Sequence, residues 1–186
     1  MNVDEAKSPR NSVEIAAALL ENGYMPVPVE KREKRTLTPD WPNKSFSPND
    51  FLPDMNVGIR CSDGGVYFLD IDVRQPHAVE EIVREWQQRF GGRGAHLRRT
   101  GEAPKTGILF RSDPGQKKKT IKLPQLGEKD AVEVLGKGQQ FVAYGRHPDT
   151  GQDYYWHGVE PAAGTVGSAH NLPFVTKEKI QAFLDW

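Results

Sequence analysis

Apolar residues recur with helical spacing at Ile15, Ala16, Leu19 and Leu20, just after Asn11 and Glu14, which stand three apart as in a capping box. With Gly23 as the stop, this predicts a first helix over residues 12–22 and then a strand over residues 24–29. Residues 30–53 are polar and proline-spaced, and they read as a long surface loop anchored by Trp41, Phe46 and Phe51. Alternation returns at residues 56–60 and 65–73, two strands joined by the turn Ser62-Asp63-Gly64-Gly65. Pro76 opens a second helix whose apolar positions Val79, Ile82, Val83, Trp86 and Phe90 share one face, and Gly91 closes it. Short strand patterns follow at residues 95–99, 107–111, 120–123, 131–135, 139–144 and 153–156, punctuated by Gly and Pro. A third helix is expected to begin at Thr176 through Ile180, Phe183 and Leu184 and to be still running at Trp186, which fits either a domain excised from a longer chain or a natural end.

Composition adds bounds. The 186 residues suit one well-packed domain over 1–186, and no internal repeat suggests two. Lys and Arg number 25, as do Asp and Glu, so any polyanionic partner must be met by local clusters rather than by overall charge. The single Cys61 excludes an internal disulfide and a multi-cysteine zinc site. There is no apolar run of membrane-spanning length and no signal-peptide pattern at the N-terminus, so the expectation is a cytoplasmic, soluble domain with no membrane partner.

The chemistry concentrates at Leu69-Asp70-Ile71-Asp72-Val73. Strand alternation turns Asp70 and Asp72 to one face and the three apolar residues to the other. Two carboxylates held side by side repel unless a cation sits between them, which outlines a divalent-metal site; the alternative is a strand end with two solvated acids. Glu133 faces opposite to Val132 and Val134, toward a surface or cleft, where it either completes that site or is an ordinary solvent-facing glutamate. Arg98, Arg99 and Lys105 surround a glycine turn, and Arg111 follows the next strand; the cluster suits phosphate binding or a solvated hairpin. Polar loops at residues 136–140 and 145–151 bracket an apolar strand, and neither has the spacing of a P-loop.

With these residues in view, the chain resembles the prim-pol domain of bifunctional DNA primase/polymerases, in the archaeo-eukaryotic primase superfamily. The pieces that carry the resemblance are Pro26-Val27-Pro28-Val29, a basic loop leading to Trp41, Asn56-Val57-Gly58-Ile59 and Gly64-Gly65 before Leu69-Asp70-Ile71-Asp72. They continue through Arg99-Thr100-Gly101, Phe110-Arg111, Gly138-Gln139-Gln140-Phe141-Val142 and His147-Pro148-Asp149-Thr150-Gly151, followed by Tyr155 and Trp156. Each piece is weak alone, and their order and spacing together are specific.

The resemblance implies an α+β fold with a twisted, largely antiparallel sheet, an RNA-recognition-motif-like catalytic half and helices packed on the sheet. It implies a DNA primase/polymerase of phage, prophage or plasmid replication, often joined to a helicase, acting on nucleoside triphosphates and a single-stranded DNA template. Asp70, Asp72 and Glu133 would hold two Mg2+ or Mn2+ ions. Lys105, Arg98 and Arg99 would grip the triphosphate, His147 would approach the nucleotide, and the Lys31 to Arg35 run with Lys117, Lys118 and Lys119 would face the template. The chain departs from the family in one respect. Between the acids the family carries a histidine in a Ser-x-His arrangement, whereas here Lys105 is the nearest residue able to serve and His96 lies too far upstream. Either the chain belongs to a lysine-bearing branch or its catalysis is altered. Two other classes use similar residues, a metal-dependent nuclease and a non-catalytic nucleotide-binding or nucleic-acid-binding module.

Overall fold

The computed structural model describes residues 10–92 and 96–186. Helix α1 (Ser12–Glu21) starts where the capping pattern places it: Asn11 Oδ1 accepts the Glu14 amide at 3.0 Å, and the Glu14 carboxylate accepts the Asn11 amide at 3.1 Å. Strands β1 (Pro26–Val29), β2 (Asn56–Arg60) and β3 (Val66–Asp72) precede α2 (Pro76–Phe90). Then come β4 (Arg98–Thr100), β5 (Thr106–Arg111), β6 (Lys119–Lys122), β7 (Ala131–Leu135), β8 (Gln140–Tyr144), β9 (Tyr155–Trp156) and α3 (Lys177–Leu184). The fold is α+β.

The strands divide between two sheets, β1-β2-β8 and β6-β7-β3-β5-β4-β9, with every strand pair antiparallel. The antiparallel pairing is shared between two sheets because β8 leaves its sequence neighbour β7 to pair with β2, which strand patterns do not reveal. The fourth strand runs over Arg98–Thr100 rather than residues 95–99, and Ala95 lies outside the described residues. The last strand is two residues long.

Apolar residues cover both faces of the larger sheet. On one face Leu69 and Ile71 of β3 pack with Val79, Ile82, Val83 and Trp86 of α2 and with Ile180 and Phe183 of α3. On the other, Phe68 packs with Leu19, Ile59 and Phe141, which come from α1 and the smaller sheet. The Phe68 and Phe141 rings stack at 3.9 Å and 7°, joining the two sheets. Phe51, 4% exposed, seats the end of the long loop in this second core. Buried Arg60 holds the loop's middle, donating to the carbonyls of Trp41 at 3.2 Å, Pro42 at 3.0 Å and Lys44 at 2.6 Å. The rings therefore share the anchoring with a guanidinium that alternation alone does not single out. Among the described residues no helix is long and apolar enough to cross a membrane.

Candidate functional site

Along β3 one face carries Phe68, Asp70 and Asp72 in turn. Phe68 is buried under the smaller sheet, Asp70 is half-buried, and the Asp72 side chain is 43% exposed, so this face runs from core to cleft within five residues. The cleft is lined by Asp70, Asp72, Arg99, Glu102, Lys105 and Thr106 of the larger sheet and its turn, by Gln140, Phe141 and Val142 of β8, and by Lys34, His147 and Tyr154 from loops. In register across the larger sheet, Asp70 stands opposite Glu133 on one side and Gly107 on the other, and Gly107 is opposite Arg99. Position 107 takes glycine because a Cβ there would lie 2.0 Å from the Phe68 ring.

Asp70 makes no hydrogen bond or ion pair with any described residue, and burial pushes its pKa up to about 6, against the pull of Arg99. Asp72 Oδ1 is 3.1 Å from the Lys105 ammonium, yet this buried oxygen accepts no well-aligned hydrogen bond. Lys105 also pairs with Glu102 at 2.9 Å. Burial works to lower the Lys105 pKa, but its hydrogen bond to Glu102 and the negative charge of Asp72 beside it outweigh burial, and the net shift is upward. Arg99, 9% exposed, lies over Tyr154 at 4.6 Å, Phe68 at 5.0 Å and Phe141 at 5.5 Å and donates to the Val142 carbonyl. Its Nε is buried without a partner, and burial lowers its pKa.

Glu133 is Asp70's neighbour in register, but its carboxylate is engaged on the other side. Lys118 Nζ lies 2.6 Å from Oε2, and Thr120 on β6 donates to Oε1 at 3.0 Å. Accordingly, among the described residues no three His, Cys, Asp or Glu side chains are gathered closely enough to hold a metal ion. Asp70 and Asp72 do fit one: the donors are all carboxylate oxygens, Asp72 Oδ1 is buried with the Lys105 charge nearby but no well-aligned hydrogen bond, and burial disfavours the charge of Asp70.

Arg98 is not brought to the cleft. Alternation places Arg99 there and turns Arg98 to the helix face, where it meets Glu80 of α2 at 2.6 Å and donates to Thr106 Oγ1 at 3.0 Å. His96 contacts the Gly91 carbonyl at 2.8 Å, and it is not among the residues lining the cleft. The lysines at 117–119 do not make one basic strip, since Lys118 holds Glu133 and Lys119 donates to Gln181 of α3 at 2.9 Å. In the other run Lys31 pairs with Asp54 at 2.9 Å, while Lys34 pairs with Asp149 at 3.2 Å and reaches the cleft.

Glu102, Gln140 and Tyr154 are cleft residues that sequence reasoning did not assign to the site, and Lys34, expected along the template-facing run, reaches this cleft instead. For Tyr154 a signal existed: alternation into β9 separates buried Tyr154, 8% exposed, from Tyr155 at 49%. For Lys34 and Gln140 there was none, because tertiary contacts between distant loops place them.

A search of curated proteins finds no match to this chain. A family profile described as bifunctional DNA primase/polymerase, N-terminal, matches residues 16–165. The match takes in both β3 aspartates, Glu133, Lys105 and the loop carrying His147, so this chain belongs to the prim-pol family, whose activity at the family level is primase/polymerase-type nucleotidyl transfer.

Proposed function

We propose that this domain is a metal-dependent, template-directed nucleotidyl transferase that makes or extends primers in phage, prophage or plasmid replication, on a single-stranded DNA template and alongside a helicase. The observation that carries the reading is the placement of Asp70 and Asp72 side by side in a cleft whose other charged residues include Arg99, Lys105 and Lys34. Asp70 and Asp72 would hold Mg2+ or Mn2+, with Glu133 joining once Lys118 and Thr120 release it. When bound, the metal lowers the pKa of the primer 3′-hydroxyl and offsets charge on the leaving pyrophosphate. The hydroxyl oxygen forms a bond to the α-phosphorus while the bond to the β-phosphate oxygen breaks, and Lys105 and Arg99 supply fixed positive charge to the departing oxygens. In the metal-free state Lys105 offsets the Asp72 charge, so the same ammonium serves the acid before the nucleotide arrives.

A binding module without turnover is the second reading, favoured by the engagement of both Glu133 oxygens. Incubation with labelled primer-template, Mg2+ or Mn2+, and ribo- or deoxynucleotides separates the two, together with a template lacking a primer. Extension or de novo products that disappear in Asp70→Ala support the transferase. Nucleotide binding with no product in either metal supports the binding module, and primer shortening without nucleotides would mean a nuclease.

A further inference from the structure

The larger sheet ends at β6, and the outer edge of that strand is bare. Leu123, just past the strand, donates its amide to the Asp130 carbonyl at 2.9 Å, so by the antiparallel register Ile121 and Lys119 also turn their main-chain groups toward β7. The N–H and C=O groups of Thr120 and Lys122 therefore point away from the sheet, where they have no partner among the described residues. Side chains alternate across the same strand. Thr120 meets Glu133 on the cleft face, whereas Ile121 packs in the core under α2 and α3 and Lys119 reaches Gln181 of α3. An edge of this kind is a template for another strand.

Beside the edge, the helix face of the sheet holds an apolar groove of about 220 Å3. It is lined by Ile121, Leu123 and Leu126 from β6 and the turn after it, by Ile82 from α2, and by Leu184 and the 57% exposed Trp186 from the end of α3. The volume is below the roughly 300–1,000 Å3 of a small-molecule site, and it takes an apolar side chain or two rather than a helix. The positive charge lies on the strand: residues 117–122 include four lysines and no acid, and Lys122 is exposed with no ion pair among the described residues. The one acid lining the groove, Glu81, is on α2. Two copies of this chain would not share the edge. Whichever residue of β6 lay on the two-fold axis, Lys122 would come opposite or diagonal to a lysine of the other copy, and like charges so placed oppose pairing. A nucleic-acid strand would find the lysines, but it has neither donors and acceptors in strand alternation nor side chains for the groove. A polypeptide with acids on one face and apolar residues on the other uses the bare edge, the lysines and the groove together.

We propose that the β6 edge and its groove bind an extended, acid-rich segment of a partner protein, which adds to the sheet as a further antiparallel strand. Acids of the segment stand opposite Thr120 and Lys122, where their amides and carbonyls complete the edge, and the apolar residues between them stand beside Ile121 with a side chain in the groove. The lysines that keep two copies apart select this partner by its charge. The contact is small, which suits a transient partner. It lies at the sheet edge and does not depend on what the cleft does.

The probe is a blocked peptide that alternates aspartate with leucine, titrated into the protein by calorimetry at neutral pH and followed by amide hydrogen exchange in nuclear magnetic resonance spectra. Binding should protect the amides of Thr120 and Lys122 and leave that of Ile121, already turned to β7, unchanged. The same peptide N-methylated on its aspartates cannot donate to β6 and should not bind. A counterpart with lysine in place of aspartate should bind at least about tenfold more weakly. Neither control asks a substituted protein to fold. Lys122→Glu, at an exposed position, should weaken the aspartate peptide about fivefold and strengthen the lysine peptide, since it turns an attraction into a repulsion. Trp186→Ala should weaken the aspartate peptide several-fold through the groove alone. Failure of the aspartate peptide to bind, binding indifferent to N-methylation or to Lys122→Glu, or protection that falls outside β6 overturns the proposal. Single-stranded oligothymidine that protects the same two amides while the peptide does not would make the edge a nucleic-acid surface and overturn it as well.

Discussion

Asp70 sits on β3 with no donor among the described residues, and burial holds its pKa near 6 against 3.8 for an ordinary aspartate. Between those values the folded state keeps a proton that the unfolded chain has lost, so ionising this group on going from pH 4 to pH 7 disfavours folding. A shift of this size amounts to about 3 kcal/mol. Other acids act in the opposite sense: the pKa of Glu80 is lowered chiefly by its hydrogen bond to Arg98 and that of Glu102 by its hydrogen bond to Lys105, so both favour the folded state as pH rises. The difference between the wild type and Asp70→Asn isolates the one group. In metal-free buffer Asp70→Asn should gain stability over the wild type as pH climbs from 4 to 7, read from urea midpoints at each pH. A stability difference that stays flat across this range would show that Asp70 is not strained by burial. Added Mn2+ should narrow the gap at pH 7, because a bound cation relieves the same charge.

At the scale of elements, the pairing of β6 with β7 decides whether Glu133 can join the aspartates. Lys118, the residue before β6, and Thr120 within it occupy both carboxylate oxygens. Lys118→Gln removes the charged competitor and leaves the strand pairing intact. Metal affinity in Mn2+ titrations followed by electron paramagnetic resonance should then rise at least about threefold, an effect of roughly 0.7 kcal/mol for a partly exposed ion pair. Unchanged affinity would mean that Glu133 takes no part in holding the ion. These element boundaries were largely legible in the sequence, since helical spacing in α2, the capping box of α1 and the alternation of β3 are local properties of the chain. The facing of Asp70 and Asp72 followed from alternation alone. What alternation also contained, and what the reading left unused, was the opposite facing of Arg98 and Arg99. The partner strand of β8, the reach of Lys34 into the cleft and the capture of Glu133 by Lys118 depend on contacts between residues far apart in sequence, and no local pattern encodes them.

At the scale of the whole molecule, two cores share the larger sheet. The core under α2 and α3 stiffens the back of β3, while the core under the smaller sheet ends at the cleft itself. Phe141 belongs to the second: it stacks on Phe68, lies 5.5 Å from the Arg99 guanidinium and lines the cleft. Phe141→Leu removes the ring stack and part of the Arg99 seat, whereas Val83→Ala opens a cavity in the core behind the sheet, where Val83 is 2% exposed. Each substitution should cost about 1–3 kcal/mol in denaturant unfolding. Their effects on the cleft should nevertheless differ. Because the smaller sheet carries Gln140, Val142 and the loop ahead of His147, loosening its contact with Phe68 lets one wall of the cleft move relative to Asp70 and Asp72. Tripolyphosphate affinity should therefore fall several-fold in Phe141→Leu and stay at the wild-type value in Val83→Ala, measured well below either melting temperature. Equal losses in both variants would mean that affinity simply tracks global stability, and unchanged affinity in both would mean that the junction between the sheets does not shape the cleft.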